Sequence, residues 1–104
     1  MKLFEKNSTK ISMKKETVDY LVNTSGGATL DRIRYLIANL YNCHSYPNVE
    51  LFSMIRNSDK EHQELIMDII EINQSKYGEA CFLMIDKLAP LLIKKFRIKN
   101  TERD

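Results

Sequence analysis

Leu30, Ile33, Ile37, Leu40 and Tyr41 fall on one stripe when the chain is wound at 3.6 residues per turn, and no strand pattern puts all five on one face. This predicts an amphipathic helix from about Ala28 to Asn42. Similar spacing recurs in Val18, Leu21 and Val22, in Leu65, Ile66, Ile69 and Ile70, and in Cys81, Phe82, Ile85 and Leu88. A chain built from such stripes packs helix against helix. With only 3 Gly and 2 Pro, it also has too few turn residues for a sandwich or barrel of this size. The expectation is an all-α fold, a compact single-domain bundle of four to five short helices.

Local punctuation sets the boundaries. A first helix covers about 14–23, and the Thr24-Ser25-Gly26-Gly27 run ends it, with Ser25 placed to cap the next. Pro47 disfavours α geometry at Tyr46, so the second helix gives way to an extended link, and Asn48 looks like a cap for a short helix holding Leu51, Phe52, Met54 and Ile55. Ser58 with Glu61 three residues on reads as a capping box that opens a fourth helix over about 59–74. Tyr77-Gly78 marks the next break. The fifth helix starts near Glu79, and Pro90 either kinks it or opens a last turn.

The domain reading is a flexible basic arm over 1–12, docked at most through Leu3 and Phe4, then a helical domain over 13–97 and a polar tail over 98–104. One core should hold Leu36, Ile37, Leu40, Phe52, Ile66, Ile69, Ile70, Phe82, Ile85 and Leu92. At 104 residues the chain suits one domain. With no Trp, few Phe and Tyr, and 5 Met, the interior is aliphatic, and methionines fill its gaps.

Charge is unevenly spread although the net value is only +2. Residues 1–15 hold five Lys against one Glu, residues 87–104 six basic against two acidic groups, and the middle five basic against eleven acidic. The most organised polar feature is an acidic stripe on the fourth helix, Glu61, Glu64, Asp68 and Glu71, a candidate protein-docking face. The basic segment Lys94, Lys95, Arg97 and Lys99 has the charge density of a nucleic-acid contact but no interleaved aromatics. The fourth and fifth helices fail as a helix-turn-helix, because the recognition position offers Glu79, Ala80 and Cys81.

Chemistry-bearing motifs are scarce. Cys43 and Cys81 form no CxxC pair, so they read as idle thiols in a reducing compartment. Cys43-His44 lacks an orienting third group, and His62 reads as an ordinary half-buried helix histidine. Walker, dinucleotide, HExxH and GxSxG motifs are absent from the sequence. No catalytic residue, cofactor or metal is therefore expected. No apolar run approaches the roughly 20 residues of a membrane span or forms a signal-peptide core, so the expected location is cytoplasmic, with no membrane partner.

Ser25-Gly26-Gly27-Ala28 opening a helix, Leu36 through Tyr41-Asn42 closing it, a short Leu51-Phe52 helix, an acid-capped helix, then Tyr77, Gly78, Phe82 and Pro90 together resemble an uncharacterised family of small helical proteins carried by bacterial plasmids and prophages. The likeness spans roughly residues 17–96. Where that family pattern often has a Trp before the final Pro, this chain has Leu88-Ala89. The resemblance implies a mobile-element setting and an interaction role, not a reaction. The functional expectation is a non-enzymatic protein-interaction module of a mobile genetic element, acting as a stoichiometric inhibitor of a host defence protein in the manner of anti-CRISPR proteins. The alternative is a small nucleic-acid-binding accessory protein that uses its basic ends. The oligomeric state is left open.

Overall fold

The computed structural model describes residues 1–100 and contains five helices preceded by a β-hairpin. The helices are α1 (Lys15–Asn23), α2 (Ala28–Tyr41), α3 (Leu51–Arg56), α4 (Lys60–Asn73) and α5 (Gly78–Phe96); the strands are β1 (Phe4–Asn7) and β2 (Lys10–Met13). The bundle expectation holds, and the all-α expectation is corrected by the antiparallel pair, in which Phe4 lies opposite Met13 and Lys6 opposite Ile11.

The hairpin replaces the expected flexible arm. Ser8 turns the chain with a left-handed φ of 53°, and the Lys14 amide closes the ladder by donating to the Leu3 carbonyl at 2.7 Å. Leu3 and Phe4 are both buried, so the segment is wedged under the bundle. What holds it there is remote in sequence: Asp68 of α4 accepts the backbone N–H of Leu3 at 2.9 Å and of Phe4 at 3.0 Å.

α5 is the spine, and its most extensive packing is against α2. Cys81, Ile85, Leu88, Ala89 and Leu92 face inward from it to meet Ile33 and Ile37 of α2 and Leu65, Ile66 and Ile69 of α4. Pro90 sits inside the helix without ending it, on an exposed turn. Gly78 is required by close approach, because a Cβ there would lie 2.5 Å from the Asn73 carbonyl oxygen. The α4–α5 corner can be this tight only with glycine.

Several local expectations change. Gly27 occupies the α2 N-cap position with no side-chain cap, so Ser25 does not serve there. At α4 the cap is Asp59, whose carboxylate accepts the His62 N–H at 2.9 Å, while Ser58 donates its hydroxyl backwards to Met54 O at 2.6 Å. A hydroxyl engaged with α3 leaves the stronger acceptor to start α4. Asn48 has a left-handed φ of 67° two residues before the α3 N-cap, Glu50, and does not cap the helix.

Six of the ten expected core residues, Leu36, Ile37, Ile66, Ile69, Ile85 and Leu92, are buried, and Leu40 and Ile70 are half-buried. Phe52 and Phe82 are corrections, at 86% and 44% exposed. α3 has six residues and turns Leu51, Met54 and Ile55 inward, which leaves Phe52 facing out. Phe82 falls on the flank of α5, outside the arc filled by Cys81, Ile85 and Leu88. Of the expected tail, Ile98 packs against the core, and residues 101–104 lie outside the described residues.

Candidate functional site

The acidic stripe does not form one solvent-facing surface. Asp68 is buried and holds the Leu3 and Phe4 amides. Glu64 accepts from the N-terminal ammonium, and that bond together with the ammonium's charge keeps its carboxyl below the usual carboxylate range. Glu61 and Glu71 stay exposed. Glu5, Asp68 and Glu71 share a depression of about 410 Å³ with Lys2, Lys6 and Lys14, so opposite charges balance locally there.

The two basic ends are far apart. Lys6 of the hairpin lies 5.4 Å from the Tyr77 ring, at the start of α5, whereas Lys95 reaches Asn23 at 3.2 Å from its last turn. The 19 residues of α5 separate these points by about 27 Å. Lys94, Lys95, Arg97 and Lys99 are all exposed, and Arg97 takes the left-handed C-cap conformation.

A polar chain that sequence reasoning missed links α4 to α1. Asp59 lies 2.8 Å from His62 Nδ1, and His62 Nε2 lies 2.9 Å from the Tyr20 hydroxyl. The His62 backbone N–H, then the ring, lower the Asp59 carboxyl below its ordinary value. Acid, imidazole and hydroxyl in sequence have the form of a proton relay. Tyr20 and His62 line neither the charged depression beside Asp68 nor the apolar groove between α1 and α5, and the chain straps one helix to the other. Cys43 and His44 stand exposed in the α2–α3 loop, where Asn42 Oδ1 accepts the His44 and Ser45 amides. No three His, Cys, Asp or Glu side chains among the described residues group closely enough to hold a metal ion. No helix among them is long and apolar enough to cross a membrane.

Among the described residues, one feature without an internal partner is an apolar groove of about 300 Å³ where β2, α1 and α5 meet. Met13, Val18, Val22, Met84, Leu88 and Leu91 line it, and Lys87 is its one charged lining residue. Its walls follow from helical spacing. On α1, Leu21 turns fully inward and Val18 and Val22 stop half-way, one turn apart; on α5, Met84, Lys87, Leu88 and Leu91 follow the i, i+3, i+4, i+7 rule. Leu88 is the floor. Leu91 is 48% exposed at the rim, and Leu83, two turns earlier on the outer side of α5, is 62% exposed. The expected α1 stripe of Val18, Leu21 and Val22 was legible, but which of the three would lie open was not.

No family model, curated protein or solved structure matches the chain.

Proposed function

We propose that the protein works by binding another protein, as a non-enzymatic interaction module, and that the β2/α1/α5 groove is its docking face. The groove carries this reading. A small domain rarely leaves leucines open beside a concave apolar surface unless something covers them. Met13 and Met84 give the groove a soft, adaptable lining suited to a protein side-chain ridge. The groove replaces the acidic stripe as the docking surface, since half of that stripe serves the fold. The mobile-element setting and the role as stoichiometric inhibitor of a defence protein rest on the family resemblance alone.

The test is affinity capture from cells of the source with wild-type protein and with the Leu83→Ser/Leu91→Ser variant, quantified side by side. At least one protein should be recovered with the wild type at near-stoichiometric amount and lost with the variant. Equal recovery of every captured protein by a variant that keeps its helical circular dichroism would overturn the groove as the docking face.

A further inference from the structure

Resting on the groove as a docking face, we infer that its occupant is an acidic amphipathic helix of a partner protein, with an apolar ridge bordered by Asp or Glu. The charge pattern of α5 makes the choice. At 100° per residue, the exposed strip beside the groove holds Leu83, Lys87, Pro90, Leu91 and Lys94, and no carboxylate falls within it. Lys87 and Lys94 lie seven residues apart, two turns or about 10 Å, the spacing at which acids two turns apart on a second helix can meet them. The opposite wall is electrically neutral, since the outer edge of α1 carries both Lys15 and Asp19. Attraction therefore comes from the α5 side.

Shape and chemistry argue against other occupants. A second copy meeting this face through a two-fold axis would bring Lys87 and Lys94 against their own equivalents. Single-stranded nucleic acid would want aromatic platforms, and the lining has none. From Met84 to Leu91 the groove runs about 10 Å along α5, long enough for apolar side chains at i, i+3, i+4 and i+7 of a helix.

The experiment uses the full chain with methyl-labelled methionines, titrated with two synthetic 18-residue helical peptides. Both carry leucines at i, i+3, i+4 and i+7; one borders them with glutamates, the other with lysines. The Met13 and Met84 methyl signals should shift and saturate with the glutamate peptide, while buried Met54 and Met67, exposed on α4, stay in place. The lysine peptide should bind about tenfold more weakly or not at all, and Lys87→Glu/Lys94→Glu should reverse the preference. If Met13 and Met84 shift equally with both peptides, and Leu91→Ser abolishes the shift, the groove stands and the acidic occupant is overturned. If neither peptide moves them, both readings fall. Sedimentation showing a dimer lost on Leu83→Ser, or tighter binding to phosphatidylserine vesicles or duplex DNA than to the glutamate peptide, would also overturn the acidic helix.

Discussion

The guanidinium carbon of Arg34 lies 3.6 Å from the centroid of the Phe96 ring, which joins the middle of α2 to the last turn of α5. The same side chain is almost wholly buried. Its Nε donates to Leu21 O at 3.0 Å, one terminal nitrogen donates to Thr24 O, and the other pairs with Asp31 at 3.1 Å. The carbonyls at the end of α1 are thus capped by an arginine from the next helix. A planar fork is needed, because a lysine would bring one point charge to two carbonyls and a carboxylate that lie in different directions.

Arg34→Met keeps the stem and removes every one of these bonds, leaving the Leu21 and Thr24 carbonyls without their donor. It should cost about 2–4 kcal/mol in urea denaturation. Arg34→Lys should recover less than half of that loss. Phe96→Leu should cost about 1 kcal/mol, and the double-mutant cycle should show a coupling of about 0.5–2 kcal/mol. Additive single losses would mean that the stacking contributes nothing.

The helices were legible because each has its own apolar stripe, and stripes are local. Arg34 was missed although the signal is local, since winding α2 at 100° per residue puts it about 40° from Leu30, on the inward side, where a charge needs partners. By the same winding Asp68 falls about 40° from Ile72 and 60° from Leu65, nearer the core than Glu64 or Glu71. Ranking acids by sign alone hid that. The hairpin was not legible: Leu3 and Phe4 are buried as consecutive residues, which erases the alternation that announces a strand, and the carboxylate that fixes it is 64 residues away. The groove escaped for a different reason. Periodicity says which residues face a neighbour, but not that the neighbour stops short.

Asp68→Ala should release the hairpin before it unfolds the bundle. It strands two buried amides, at a cost of about 2–4 kcal/mol, and the Phe4 amide should exchange with solvent far faster than those of α5. Asp68→Asn keeps one acceptor oxygen and should lose less. Unchanged exchange at Phe4 in Asp68→Ala would show that side-chain burial alone holds the strand.

The corrected core list makes a paired prediction. Ile69 is fully buried, so Ile69→Ala removes apolar contacts and leaves a cavity, at about 2–4 kcal/mol. Phe52 is mostly exposed, and Phe52→Ala should stay within about 0.5 kcal/mol of wild type in the same urea titration. A large loss at Phe52 would mean that α3 turns this ring into the core.

The two thiols should react very differently. Cys43 is exposed, whereas Cys81 is buried, and burial, with the nearby Asp68 charge, pushes its thiol above the ordinary value. At neutral pH an alkylating reagent should modify Cys43 quickly and Cys81 only as fast as the protein opens, so the Cys81 rate should climb steeply with urea. Two equal fast phases in native buffer would contradict this.

Acid should loosen the start of α4 through Asp59. The His62 backbone N–H, followed by its ring, stabilises the ionised carboxylate and lowers its pKa in the fold. A depressed folded value means that the carboxylate's contribution is fully present above the unfolded value, near 4, and is lost as pH falls through the folded value below that. Asp59→Asn still caps the helix but cannot titrate. Wild type should therefore melt above Asp59→Asn at pH 6, and the gap between the two melting temperatures should narrow steadily from pH 4 to pH 2. The group is mostly exposed, so added salt should shrink the gap at pH 6 as well. A gap that widens toward low pH would show that the neutral acid is the better partner for His62.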